Sequence, residues 1–436
     1  MKYKPYPVYK DSGVEWLGKV PAHWDVKRLG YYFAERREKV SDRDYQPLSI
    51  TKNGVVPQLE TAAKTDDGDN RKLVCAGDFV INSRSDRKGS SGLSELAGSV
   101  SLINTVLQPY DLIDGRFAHH LLRSYPFQEE FYRYGKGIVA DLWSTNYSEM
   151  RNISLSLPNP AEQTSIATVL DRETAKLDTL IAKQEKLIEL LQEKLQALIS
   201  HAVTKGLNPD APMKDSGVEW LGEVPAHWGV LPLKRDLLFL TSGSRGWADH
   251  YADDGALFIR IGNLTRETIQ LDLADIQRVE VPEGTEGERT RVLPGDVLFS
   301  ITAYLGSVAV VPDNMEAAYV SQHVALARLA GRYFLSPWVA YVTLSFVGKT
   351  YLAAQGYGGT KIQLSLDDVA NILMTSPPSE EQSAIVAFID RETAKLDTLV
   401  EKSRRSIELM REHRTALISA AVTGKIDVRA RHQAAA

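Results

Sequence analysis

The residue types that usually do chemistry are arranged here so that the familiar enzyme classes drop out. Gly348-Lys349-Thr350 ends like a phosphate-binding loop, but Thr343 stands five residues before Gly348, where such a loop needs glycine. No cradle of backbone amides is therefore specified. Pro377-Pro378 lacks the preceding Asn or Asp and the following aromatic residue that mark amino-methylating enzymes. No G-x-G-x-x-G follows a strand-like run, there is no H-E-x-x-H, and one cysteine, Cys75, leaves no thiol pair for zinc. His23 and His227 have no Cys, His or carboxylate at a ligand spacing, so neither reads as a metal ligand. The Asp and Glu residues are too many to single out a catalytic pair.

What remains is hydrogen-bonding and ionic chemistry on glycine-flanked loops. Arg84, Arg87, Lys88, Ser90 and Ser91 form a basic, polar cluster around Gly89 and Gly92, after the run G-D-F-V-I. The equivalent loop in the second half, after L-P-G-D-V-L-F, has Thr302, Tyr304 and Ser307 instead. Further candidates are Lys136 between two glycines, Arg245 in S-G-S-R-G, Arg260 and Asn263 in R-I-G-N, and Tyr357, Thr360 and Lys361 in a glycine loop. Arginine pairs best with guanine and asparagine with adenine in the major groove, so these side chains are suited to reading base edges. They suit solvated loops equally well, and no target sequence follows from them.

Something must hold those loops in place, and the most regular part of the chain is a duplicated element. Asp171 to Leu180 and Asp390 to Leu399 both read D-R-E-T-A-K-L-D-T-L. Extended outwards, Gln163 to Thr204 pairs with Gln382 to Thr423 at a constant offset of 219, with 24 of 42 positions identical. Each copy predicts one long helix. In the first, Ile166, Leu170, Leu177, Leu180, Leu187, Leu191, Leu195 and Leu198 recur at threes, fours and sevens, with no Pro or Gly from Ala161 to Lys205. Asn159 as cap, Pro160 in the first turn and Glu162 reaching back predict its start; Ser379 with Gln382 does so for the second. Gly206 and Gly424 are the stops.

At about 1.5 Å per residue, such a helix is a rod of about 63 Å. One apolar stripe on so long a rod needs a partner, and the duplicate offers nearly the same surface. The two are expected to form an antiparallel coiled coil about a pseudo-two-fold axis, the second contributing Ile385, Ile389, Leu396, Leu399, Met410 and Leu417. Polar interruptions at Glu173 with Glu392 and Gln184 with Ser403 either fix register or mark a docking place for a third protein.

A second repeat precedes each helix. Lys10 to Trp24 and Lys214 to Trp228 agree at fourteen of fifteen positions, differing only at Lys19 against Glu223. Its glycines and paired tryptophans predict a strap that anchors the start of each domain. Between strap and helix the two copies barely align, although strand-like V-C-A-G-D-F-V-I and L-P-G-D-V-L-F share Gly-Asp, and Phe117 to Tyr134 and Ser336 to Ala354 both look helical. The expected organisation is α+β: a mixed α/β domain over 1–158, a long helix over 159–206, a second mixed domain over 207–378, a second helix over 379–424 and a tail over 425–436. The nearly identical parts should perform one task twice, and the divergent parts two versions of a related task.

The 436 residues, 43% hydrophobic and 25% charged, are those of an ordinary globular protein, expected in the cytoplasm: no apolar leader or membrane span stands out. The net charge is −5, with 13 Lys and Arg against 20 Asp and Glu in 207–378, whereas a free-standing, sequence-tolerant nucleic-acid binder would be basic.

A strap with D-S-G-V-E-W-L-G and P-A-H-W, a variable domain, an E-Q-start helix with D-R-E-T-A-K-L-D-T-L, and all of it again, resembles the specificity subunit of type I restriction-modification systems. The resemblance covers essentially the whole chain. It implies two target recognition domains, each reading half of a bipartite double-stranded DNA sequence, with the helices as antiparallel spacer. It implies two methyltransferase subunits, which use S-adenosylmethionine to methylate adenine, and restriction subunits that cleave and translocate with ATP and magnesium. The chain itself would bind no cofactor and catalyse neither reaction. The competing readings are a non-catalytic coiled-coil scaffold presenting two protein-recognition modules, and an enzyme with an unfamiliar site in one variable domain.

Overall fold

The computed structural model describes residues 3–61, 68–137, 143–243, 245–282, 285–356 and 363–429. The chain divides into two compact units, the first made of Met1–Glu185 with Arg404–Ala436 and the second of Lys186–Ser403.

In unit one the strap is a hairpin of β1 (Tyr9–Asp11) and β2 (Lys19–Pro21), whose turn uses Gly13 and Gly18 at φ +67° and +59°. β3 (Asp25–Arg28) follows. The domain then runs through β4 (Phe33–Glu35), β5 (Lys39–Val40), β6 (Leu48–Thr51), β7 (Gly54–Pro57), β8 (Arg71–Val74), β9 (Phe79–Asn82), β10 (Ser91–Leu93), β11 (Gly98–Val100) and β12 (Asn104–Pro109). Three helices come next: α1 (Gly115–Leu122), α2 (Tyr125–Arg133) and α3 (Tyr147–Met150). β13 (Ser154–Leu157) returns to pair with β3 and closes the domain just before the long helix α4 (Pro160–Lys205). The central sheet has the order β10-β9-β12-β4; β11-β8-β5 and the β6-β7 hairpin form a smaller lobe.

Unit two repeats the framework. β14 (Met213–Asp215) and β15 (Glu223–Pro225) make its strap, and β16 (Gly229–Pro232) pairs with β25 (Leu373–Ser376). Between them lie β17 (Leu237–Ser242), β18 (Tyr251–Ala252), β19 (Ala256–Ile259), β20 (Arg278–Val279), α5 (Thr285–Thr290), β21 (Val297–Ser300), β22 (Val308–Val310), β23 (Ala318–Val320), β24 (Val324–Leu329), α6 (Ser336–Leu344), α7 (Phe346–Gln355) and α8 (Leu366–Ala370). The long helix α9 (Ser379–Val422) follows β25. Its central sheet, β22-β21-β24-β17, has the order seen in unit one. The second sheet does not: it is β18-β20-β19-β23, with β19 and β23 parallel. Divergence between the copies is thus concentrated in the lobe built on the second sheet.

The run expected as strand-like over Val74–Ile81 is the end of β8, a turn over 75–78 and the start of β9, because the Asp78 carboxylate accepts the Cys75 N–H at 2.8 Å and bends the chain. Asp296 does the same for Leu293 at 2.7 Å. Both carboxylates are buried against an arginine: Arg36 reaches Asp78 at 2.8 and 3.1 Å, Arg328 reaches Asp296 at 2.8 and 2.7 Å. Arg36 directly follows β4, whereas Arg328 lies in β24, the counterpart of β12. The same fork is supplied from neighbouring strands. The helices expected over 117–134 and 336–354 are each split, with Ser124 and Ser345 as the caps between them.

The strap is tied to the start of the long helix by the repeated residues. In unit one the Glu162 carboxylate is buried and receives the Trp24 indole N–H at 3.1 Å and the Tyr6 hydroxyl at 2.9 Å. His23 Nε2 lies 2.9 Å away and Arg429 3.1 Å. In unit two Glu381 takes Trp228 at 3.1 Å and His227 at 2.9 Å. Gln163 is bonded to the Asp114 N–H and the Pro158 carbonyl; Gln382 repeats this with Leu335 and Pro377. Glu162 therefore does not reach back to close a capping box. Asn159 alone caps the helix, through Oδ1 to the Glu162 N–H at 3.0 Å, and the carboxylate is spent on the strap.

Within unit one the first part of α4 and the last part of α9 share a core, with Ile166 and Leu170 beside Leu417, Ala421 and Val422. Asp178 pairs with Arg414 and Glu185 with Arg411, so the two segments run in opposite directions there. Within unit two Leu195, Ile199 and Val203 meet Ile385, Ile389 and Leu396. The expected stripe needs correction: Leu180, Leu187 and Leu399 are 48%, 41% and 46% exposed, while Thr174, Ile181 and Ile407 are buried. Leu180 and Leu187 are seven residues apart and share a phase rotated outwards from the buried one. Spacing specifies a face but not which residue centres it.

The glycine ending α9 offers a test of strap packing. Gly424 has φ +72°, and a Cβ there would stand 2.4 Å from Pro21 Cδ, whereas at Gly206, φ +75°, the nearest atom is Trp228 Cζ2 at 3.2 Å. Gly424→Ala is expected to destabilise unit one by about 3 kcal/mol, at the upper end for left-handed strain because a clash adds to it, and Gly206→Ala by about 1. Urea unfolding of both variants checks this; equal losses would show that the clash is relieved freely.

Candidate nucleic-acid interface

In unit one the structure brings two sequence-distant segments side by side. Lys136 and Ser144 exchange backbone hydrogen bonds at 3.1 and 3.0 Å, Arg84 pairs with Ser144 in a second bridge, and the Thr145 N–H donates to the Ser83 carbonyl at 2.9 Å. Arg84, Arg87 and Lys136 are thereby presented at the surface. Arg84 and Arg87 line a cleft of about 780 Å³ with Ser90. It is lined as well by the β6-β7 hairpin, including Ser49, Thr51 and Lys52, and by Asn82 and Asn104. These polar residues escaped the reading of the sequence; the Asn53-Gly54 turn that makes the hairpin was the available signal.

Not every candidate fits. Ser91 lies in β10 and is fully buried, which removes it as a base-reading residue, and Ser90 is nearly so. Lys88 is paired with Glu129 and lies 5.2 Å from the Tyr132 ring centre. Arg87 pairs with its neighbour Asp86 at 3.5 Å, and Lys136 is paired with Glu149 at 3.2 Å.

In unit two, Arg245 is exposed and Arg260 is paired with Asp275 at 3.0 Å. Asn263 is buried and fully used by its own loop: its Oδ1 accepts the Arg260 N–H at 2.9 Å, and its Nδ2 donates to the carbonyls of Asp272 and Asp275. It is not available to adenine. Thr302 pairs with Gln363, matching the Arg84–Ser144 bridge, and Tyr304 is exposed beneath the Arg266 guanidinium, 5.9 Å from its ring centre. Ser307 is buried. Tyr357, Thr360 and Lys361 lie outside the described residues. The loop after the Gly-Asp strand therefore carries threonine and tyrosine in this unit, where that of unit one carries arginines.

The lysine of Gly348-Lys349-Thr350 is no phosphate-loop lysine, since its Nζ donates to Gln196 Oε1 at 2.7 Å and to the Arg266 carbonyl at 3.1 Å. Gly348 packs α7 against α6, where a Cβ would come within 2.4 Å of two carbonyl oxygens. Among the described residues no group of three His, Cys, Asp or Glu could hold a metal ion, and no helix is long and apolar enough to cross a membrane.

No family model matches the chain. It is 23% identical over 453 residues to a Methanocaldococcus jannaschii protein assigned as the specificity subunit of the type I restriction enzyme MjaX, covering 95% of this chain and 96% of that protein. It is 24% identical to the type I restriction enzyme EcoKI specificity subunit of Escherichia coli over 74% of this chain and 68% of that one. The EcoBI specificity subunit, also from Escherichia coli, is 24% identical over 64% of this chain and 59% of its own length. In fold it matches a chain solved in work on complex assembly and conformational transition of the type I restriction-modification system, with a TM-score of 0.71 over 93% of this chain and 99% of that one, at 16% identity. A crystal structure of the HsdS subunit from Thermoanaerobacter tengcongensis matches with a TM-score of 0.53 over 93% and 98%, at 17% identity. Over nearly its whole length this chain is similar in sequence to specificity subunits of type I restriction enzymes, and its fold is the one found in the HsdS structure.

Proposed function

We propose that the chain is the non-catalytic, sequence-reading subunit of a type I restriction-modification complex. Each variable domain reads one half of a bipartite DNA target, and α4 and α9 set the distance between the halves as an antiparallel coiled coil. The observation behind this reading is the contrast between the copies. Strap, central sheet, helix pair and long helix recur in the same order, while the lobe built on the second sheet and the loop chemistry differ. A common frame with two unlike polar surfaces suits two different half-sites. A helix of 46 residues is about 69 Å long, close to two turns of B-DNA at about 34 Å each. The repeated straps and helices give two copies of a methyltransferase subunit equivalent places to dock, and restriction subunits join through them. S-adenosylmethionine, ATP and magnesium belong on those partners.

The test is methylome sequencing of a host with and without this gene. Adenine methylation at one asymmetric, bipartite motif is expected to vanish on deletion. An unchanged methylome, with the partner genes expressed, favours the protein-scaffold reading instead.

A further inference from the structure

Beside the polar cleft of unit one lies a smaller one, of about 380 Å³, lined by the cations Lys52, Lys88, Arg123 and Arg414 together with His119 and His120. Three of these have acidic partners. Lys88 pairs with Glu129, His120 with Asp171 at 2.7 Å, and Arg414 with Asp178 at 3.1 Å. Arg123 and Lys52 have none within ion-pair distance among the described residues. Arg123 instead donates to His119 Nε2 at 2.8 Å and to the Lys52 carbonyl.

That arrangement is short of acceptors. His119 Nδ1 already faces the Leu93 N–H at 3.2 Å, so both ring nitrogens meet donors, and a neutral imidazole carries one N–H of its own. One of the two contacts must go unmade. Burial, with the positive charges of Arg123, His120 and Arg414, pushes the His119 pKa down to about 3. Burial and Arg414 also lower that of Arg123.

The fold does not need these cations, as the second copy shows. His120 bonds to Asp171 of the repeat, and Tyr341 bonds to Asp390, its counterpart. Counting from that pair, His119 corresponds to Ala340 and Arg123 to Leu344. The offset of 219 matches Arg414 with Leu195. Ala340, Leu344 and Leu195 are all buried in the apolar core of unit two. One copy fills the place with hydrocarbon; the other opens it and lines it with charge.

The geometry points to a phosphodiester site: the cleft takes one backbone phosphate of bound DNA on Arg123, Lys52 and Arg414. Lys52, at the tip of the β6-β7 hairpin, lines both this cleft and the larger polar one, so the phosphate sits next to the surface proposed to read bases. A phosphate oxygen supplies the acceptors that His119 cannot, and phosphate contacts fix a protein's register on the duplex while base contacts specify it. The inference rests on the chain being a DNA-recognition subunit.

The test uses the complex of the full chain with its methyltransferase partners, on a duplex carrying the motif found by methylome sequencing. Arg123→Leu, which installs the residue of the other copy, is expected to reduce the slope of log K against log salt by about 1 and to leave the methylated motif unchanged. Arg123→Lys is expected to keep most of the slope. Should Arg123→Leu fail to fold, exposed Lys52→Gln carries the same measurement. A slope equal to that of the unaltered complex overturns the site. So does an inorganic phosphate titration that shifts the His119 ring signals while the DNA slope stays unchanged, since the cleft is then a free-anion site. Loss of motif-dependent binding in the unaltered complex would instead overturn the DNA-recognition reading itself.

Discussion

Glu162→Ala is expected to lower the unfolding free energy of unit one by about 3–5 kcal/mol, the range for removing one member of a buried charged cluster. The carboxylate is 3% exposed and serves the Tyr6 hydroxyl, the Trp24 indole, His23 and Arg429. Alanine would leave a buried indole N–H and a buried phenol without acceptors and the Arg429 guanidinium with Asp427 alone. The phenol is held firmly protonated at present, as burial and the charge of Glu162 raise its pKa. The equivalent Glu381→Ala should cost less, about 1–3 kcal/mol, because that carboxylate is 32% exposed and, among the described residues, holds His227 and Trp228 alone. Urea unfolding combined with amide exchange in the two straps resolves the units. A loss at Glu381 as large as that at Glu162 would show that burial and partner number do not set the strength of the strap anchor.

The second large effect concerns what the complex recognises. Replacing residues 25–158 by a variable domain of another chain of this kind should change one half-site and leave the other, along with the spacer, as it was. Both cut points fall in β3 and just after β13, the antiparallel pair that closes the domain on itself. Inserting four residues, about one helical turn, within Gln184–Lys194 of α4 and at the matching level of α9 should lengthen the spacer of the methylated motif and preserve both half-sites. Methylome sequencing reads both outcomes. A changed half-site after the insertion would mean that the helices contribute to base reading, and an unchanged spacer would mean that they do not measure distance.

The long helices and the straps were legible in the sequence because both signals are local and were written twice. A 3.6-residue period, glycine stops and an Asn159 cap act within a few residues of themselves, and repetition separates them from chance. Phase was not legible: Leu180, Leu187 and Leu399 satisfy the spacing but face outwards, since which side of a helix is covered depends on what packs against it. The Arg36–Asp78 and Arg328–Asp296 forks were hidden for a related reason, as each joins strands far apart in sequence and the arginine changes strand between copies. Ser91 and Asn263 had suitable chemistry for reading bases, yet a strand buries the first and its own loop has already consumed the second. By itself the sequence determined the period, the Asn159 cap and the duplication, which are properties of neighbouring residues. Tertiary structure alone decided which polar groups are spent inside the fold and which, like Arg84 and Arg123, are left for another molecule, because hydrogen-bonding capacity is allotted by contacts between residues that the chain keeps far apart.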